Sequence, residues 1–178
     1  MFERLFDFIV SIWTALCPWF VVPQYEDAVV LRLGRFHREV DTGLRWRWPF
    51  FEEAMTCGNV YTTSDLSNQT LVTSDGKVVT LSAAYRHRVS NARVFLLETA
   101  DAEQAVQDVI QIAIAEIVRD TPWGEVNAKQ FWVKVTKRAA KESAKWGVRI
   151  TKVGYTDLAK IRVLRLLVDQ QSFTLNDE

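Results

Sequence analysis

The sequence predicts an α+β domain, and three observations predict it. The first half, to about residue 90, alternates apolar and polar residues in short runs broken by Gly, Pro and Asp-Gly turns. The second half carries two long segments with apolar residues three and four apart, the period of a helix packed on one side. A last alternating run, Val148 to Tyr155, follows a Gly stop at Gly147. Strands first and helices after argue for an α+β arrangement rather than a wound parallel sheet.

In order along the chain, the N-terminal segment is the most apolar. Phe2, Leu5, Phe6, Ile9, Ile12, Trp13 and Leu16 fall on one helical stripe, with Glu3, Arg4, Asp7, Ser11 and Thr14 on the other side. The uncharged run from Phe8 to Val22 has 15 residues. As a helix it reaches about 22 Å, short of the ~30 Å hydrocarbon core, and Pro18 breaks or kinks it. An in-plane or re-entrant anchor fits best. A tilted span over residues 2–22 and a helix buried against another subunit stay open. Glu3 and Asp7 count against a cleaved signal, which wants a basic start. Trp19 and Phe20 continue the aromatic run, and Trp favours the boundary between apolar and wet. Cys17 is placed for S-palmitoylation, beside its plain reading as a small buried hydrophobe.

After Pro23, Ala28 to Leu33 reads as a strand closing at Gly34. "TGLRWRWP", Thr42 to Pro49, alternates Leu44, Trp46 and Trp48 against Arg45 and Arg47. Strand-like pieces follow at Thr56 to Thr63 and Leu66 to Thr73. An Asp75-Gly76 turn then opens a long strand with Val79, Leu81, Ala83, Tyr85, His87 and Val89 on one face. Asn91 to Thr99 predicts a short helix. Asp101 with Gln104 predicts a capped start for a helix to Asp120. Thr121-Pro122 signals a further cap, and Asn127 with Gln130 opens a helix to about Trp146. Leu158 to Val168 reads as a final helix or an extended edge.

Composition narrows the function. Lys plus Arg number 22 and Asp plus Glu 22, so no net field favours nucleic acid as a partner. Two cysteines are too few for a disulfide framework or a metal knuckle. His37 lies near Arg35 and Arg38, and His87 between Arg86 and Arg88, without ligands at metal spacing. No nucleophile–base pair and no phosphate-cradling Gly loop stands out, so neither a catalytic residue nor a cofactor is expected, and binding is favoured over catalysis. The helix to Asp120 is acidic (Asp108, Glu116, Asp120 among others) and the next is basic (Lys134, Arg138, Lys141 among others). Two readings stand: ordinary solvated faces, or contacts between an acidic helix of one subunit and a basic helix of the next, closing a ring. The basic face could also lie on anionic lipid.

The order of motifs resembles the SPFH superfamily of stomatin, prohibitin, flotillin and HflK/HflC proteins. The resemblance runs through "VVPQYEDAVVLRLGRFHREVDTGLRWRWPF", "VTSDGKVVTLSAAYRHRVSNARVFL", "AIAEIVRDTPWGEV" and "KWGVRITKVGYTDLAKI", from about Val21 to Leu167. It implies an anchor over residues 1–22, a curved β-rich subdomain over 23–90, an α/β subdomain over 91–167 and a short tail over 168–178. It also implies a membrane-anchored scaffold that self-assembles into rings and organises a microdomain, with membrane lipids and further copies of itself as partners. A small regulatory adaptor for a membrane protease, a channel or a longer family member is the alternative. Trp46, Trp48, Phe50 and Phe51 are the residues the resemblance implies for dipping into lipid. Most family members continue into a long coiled coil; residues 168–178 show no heptads, so a flat or short ring is expected. Arg32, Arg35, Arg38, Arg45 and Arg47 follow the apolar segment against Arg4 before it, placing the folded domain on the cytoplasmic side.

Overall fold

The computed structural model describes Asp7 and residues 18–161. Phe2, Leu5, Phe6, Ile9, Ile12, Trp13, Leu16 and Cys17, and the C-terminal tail, lie outside the described residues. Among the described residues no helix is long and apolar enough to cross a membrane.

Among the described residues nine strands and four helices follow one another. β1 (Trp19–Val22) pairs antiparallel with β4 (Gly43–Trp46) as a two-stranded ribbon. β2 (Glu26–Arg32) is the centre of a three-stranded sheet between β3 (Arg35–Val40) and β5 (Glu52–Gly58). Leu33 and Gly34 both take positive φ, 51° and 76°, the backbone a tight hairpin of right-twisted strands requires. The chain therefore reverses there into β3, a strand the alternation did not separate. The expected strand to Pro49 ends at Trp46, after which one more bond, Arg47 N–H to the Pro18 carbonyl at 2.7 Å, closes the ribbon. Residues 56–63, expected as one strand, divide between β5 and β6 (Thr62–Asp65).

β8 (Val78–Val89) carries β6 and β7 (Gln69–Val72) end to end along one edge. Along the other runs β9 (Val148–Ile161). The alternation read from the sequence holds: Val79, Leu81, Ala83, Tyr85 and Val89 are buried. β9 passes well beyond Tyr155, and residues to 161 that were read as helix or edge are strand.

α1 (Ala92–Leu97) is capped by the Asn91 side chain, which accepts the Val94 N–H at 3.1 Å. α2 (Ala102–Arg119) is capped by Asp101, which accepts from Gln104 N–H at 3.0 Å. The Gln104 side chain does not return to the cap; it donates to Asp108 Oδ1 at 2.9 Å, so half of the expected box forms. α3 (Trp123–Val126) starts after Pro122. α4 (Lys129–Ser143) begins at Ala128 without a side-chain cap, because Asn127, expected to open it, closes α3 instead. A 3-10 turn, Ala144–Trp146, leads to Gly147 at φ 70°.

Two apolar clusters result. The larger joins β8 and β9 to α2 and α4 through Leu81, Tyr85, Ile110, Ile114, Val135 and Ala139. The smaller joins Val29 of β2 and Cys57 of β5 to Val89 and Ala92. The boundary expected near residue 90 thus falls at the end of a strand whose inward side chains pack with the helices.

Candidate functional site

The described surface departs most from a soluble pattern around β1, β4 and residues 46–51. Antiparallel register sets Trp19 opposite Trp46 and Val21 opposite Leu44, and because strand side chains alternate these four share a face. All four are exposed. The Trp19 and Trp46 rings stack at 6.1 Å between centroids, and Trp46 and Trp48 at 5.4 Å. Phe50 is 74% exposed, and Leu33, on the neighbouring hairpin turn, 75%. Phe51, also exposed, ties the two loops together when its carbonyl accepts Leu33 N–H at 2.8 Å. Of the residues expected to dip into lipid, Trp46 and Trp48 stack in one run with Trp19, and Phe50 and Phe51 follow, exposed, on the same loop. Phe20 alternates to the opposite face of the ribbon, across from Arg45, and is half-buried.

Such an apolar loop keeps its shape in water only if something beneath it is fixed, and that something is Glu52. Its side chain is fully buried. It accepts from Arg32 Nη2 at 2.6 Å and Nε at 3.1 Å, from Arg38 Nη2 at 3.2 Å, and from the Trp48 backbone N–H at 3.1 Å. Glu52 N–H returns to the Trp48 carbonyl at 2.9 Å, and Arg38 also donates to the Trp46 carbonyl at 2.6 Å. His37 Nε2 lies 3.8 Å from Glu52 Oε1. Burial opposes ionisation, yet the Arg32 hydrogen bond, the Trp48 N–H and the Arg38 and Arg32 charges outweigh it and hold the carboxyl below its ordinary value. A buried carboxylate with two guanidiniums and a backbone donor is satisfied, so it stays charged and rigid. Sequence reasoning missed Glu52. Its partners stand 20 and 14 residues away in sequence, and only the β2–β5 register, which sets Arg32 opposite Glu52, signals the pairing.

The helix pair shows a different chemistry. Asp108, Glu116 and Asp120 on or just after α2, and Lys134, Arg138 and Lys141 on α4, are all exposed. The helices pack side by side, and Arg138 Nη2 meets Glu116 Oε2 at 3.3 Å within one chain. Asp120 lies 3.7 Å from its neighbour Arg119. His87 stacks on Tyr85 at 4.9 Å, and burial draws its pKa down. Cys57 is a buried thiol whose pKa burial, with Asp27 and Glu26 adding to it, pushes up to about 11. That disfavours the thiolate and hence reactivity.

A mixed strand-and-helix domain with an exposed aromatic loop at one sheet defines the class. The model of the SPFH domain / Band 7 family matches residues 20–161, and the chain belongs to that family. It is 27% identical over 147 residues to an uncharacterized protein of Methanocaldococcus jannaschii, covering 82% of this chain and 74% of that one. To the HflK proteins of Vibrio cholerae and Escherichia coli it is 30% identical over 113 residues and 27% over 111. These matches cover 63% and 62% of this chain, and 28% and 26% of theirs. Stomatin-4 of Caenorhabditis elegans is 25% identical over 142 residues, 78% of this chain and half of its own. The chain thus spans about a quarter of the HflK proteins and half of stomatin-4. The Escherichia coli relative bears the name modulator of FtsH protease.

Proposed function

We propose that this protein is a membrane-anchored scaffold that assembles with copies of itself and organises the lipid and proteins around it. The observation that carries the reading is the exposed aromatic loop hydrogen-bonded to buried Glu52 and to Arg38. Trp and Phe side chains held out in water on a braced loop are suited to the lipid–water boundary, where apolar rings meet polar headgroups. The SPFH fold, with stomatin and HflK relatives, supports a scaffold or regulator over an enzyme. In this reading the segment before β1 supplies the main anchor, β1 itself being paired in the folded ribbon, and Cys17 is open to acylation. The β-rich part up to the β5–β6 connection faces lipid on the cytoplasmic side, and the helices face the neighbouring copies. Glu116 and Arg138 meet within one chain; in this reading Asp108 and Asp120, touched within the chain by the exposed Gln104 and Arg119, face Lys134 and Lys141 of the next copy. Many weak anchors in one ring bind strongly through avidity.

The test is the triple variant Trp46→Ala, Trp48→Ala, Phe50→Ala in the full chain. Partition into lipid vesicles should fall about tenfold, the equivalent of roughly 1.4 kcal/mol, while the melting temperature hardly moves because all three rings are exposed. Unchanged partition would remove these residues from the membrane contact. The second reading, a small adaptor for a membrane protease or a longer family member, is favoured by the name of the Escherichia coli relative. A dimer-sized particle after mild detergent extraction selects it, and a megadalton particle selects the ring.

A further inference from the structure

Beside the aromatic loop lies a cleft of about 380 Å³ between the Leu33-Gly34 turn and residues 47–53. Leu33, Phe50 and Phe51 form its apolar rim, and Arg47, Glu52 and Glu53 are its charged residues. Their states differ. Glu52 is buried and answered by Arg32 and Arg38. Glu53 is exposed, and among the described residues no ion pair reaches it. Arg47 is half-buried, and its Nε is shielded from solvent without a hydrogen-bond partner. Buried donors are nearly always bonded, so Arg47, which lines the cleft while its Nε donor goes unanswered, needs an explanation. No carboxylate among the described residues comes within ion-pair distance of Arg47.

We propose that this cleft is a subsite for a zwitterionic aminophospholipid headgroup, with Arg47 taking the phosphate and Glu53 the ammonium. The proposal rests on the membrane reading of the aromatic loop and adds a specificity to it. A guanidinium matches a phosphate diester in shape and charge and holds it through more than one N–H. A free carboxylate in the same cleft disfavours a headgroup with surplus negative charge and accepts hydrogen bonds from an ammonium. The rim of Leu33, Phe50 and Phe51 suits the glycerol and upper acyl region that every phospholipid carries next to its phosphate. A soluble phosphate ester would leave that rim in water, which is why a lipid is the favoured source.

The experiment titrates the full chain, held in detergent, with dihexanoyl-phosphatidylethanolamine, dihexanoyl-phosphatidylglycerol and free phosphoethanolamine, and reads affinity by calorimetry. The ethanolamine lipid should bind at least about tenfold more tightly than the other two probes. Arg47→Gln should weaken it about tenfold, the scale of one charge-assisted contact, and Arg47→Lys should retain part of that loss. Glu53→Gln should abolish the preference for ethanolamine over glycerol without lowering affinity for the glycerol lipid. An Arg47→Gln protein that binds like the wild type overturns the subsite, as does equal affinity for the two lipids. Free phosphoethanolamine binding as tightly as the lipid overturns the lipid as its source. Failure is separable from that of the parent reading. If the triple aromatic variant leaves vesicles while Arg47→Gln changes nothing, the subsite alone falls.

Discussion

The two halves of the molecule invert each other. In the β8–β9 and α2–α4 half the apolar residues are inside (Ile110, Val118 and Val135 have no exposed surface) and the charges ride outside on the helices. Around β1–β5 a charged carboxylate is inside and seven large aromatic rings are outside. The first half is held by area removed from water, at about 25 cal/mol per Å². The second also buries Val22, Ala28, Val29 and Val30, but its aromatic loop is held by hydrogen bonds in a fixed arrangement, which orient more than they stabilise. One half stores stability; the other spends some of it on presenting a surface.

Three substitutions sharpen that contrast. Ile110→Ala, in the centre of the helix–sheet cluster, should have the largest effect. It deletes a fully buried side chain and should cost about 3 kcal/mol, read as a shift of the denaturation midpoint. Hydrogen exchange at the Trp48 amide should still report a formed loop under native conditions. A protected core with a loosened loop in that variant would break the division into two regions.

Glu52→Gln should cost less, about 2 kcal/mol, because its arginine partners remain partly exposed to water. It should also speed exchange at Trp48, whose N–H it anchors. The same residue sets a pH dependence. Its carboxyl titrates lower when folded than when unfolded, so the folded state binds fewer protons in that window. Its contribution is present in full above the unfolded value of about 4.3 and is lost as pH falls through the lower folded value. Wild-type melting temperature should therefore drop below about pH 4.3 more steeply than that of Glu52→Gln. Parallel curves would show that other carboxylates, Asp75 among them, carry the acid response.

Glu116→Gln should have the smallest effect. The Glu116–Arg138 pair spans α2 and α4 with about half of each side chain exposed, and such pairs contribute about 0–1 kcal/mol. A loss above about 1 kcal/mol in a double-mutant cycle with Arg138→Gln would mean that the helix layer, too, depends on placed charges.

How much of this was legible in the residues follows the same division. Local signals were read correctly: the Asp75-Gly76 turn, the alternation of β8, the short helix after Asn91, the cap at Asp101 and the stop at Gly147. Each is written within a few neighbouring positions. Gly147 shows how strong such a signal can be, since a Cβ there would lie 2.5 Å from the Asn91 carbonyl oxygen on a left-handed backbone. The aromatic residues Trp46, Trp48, Phe50 and Phe51 were visible as a group because they are adjacent. What fixes them was not. The ion pairs at Glu52 depend on the register between β2, β3 and β5, and charge spacing along a chain does not encode register. β1 was hidden for a related reason. Trp19–Val22 reads as the tail of an apolar segment, and only its pairing with Gly43–Trp46 makes it a strand.

β8 has a mechanical consequence. Its 12 residues, at about 3.3 Å each, make a strut roughly 40 Å long. Val79 to Tyr85 of that strut are packed under the helices, and Val89, at its far end, is packed with Val29 and Cys57. A strand clamped at both ends resists stretching far better than a flexible connection would. Through β8 the sheet that carries the Leu33-Gly34 turn and the helix layer are joined by packed side chains.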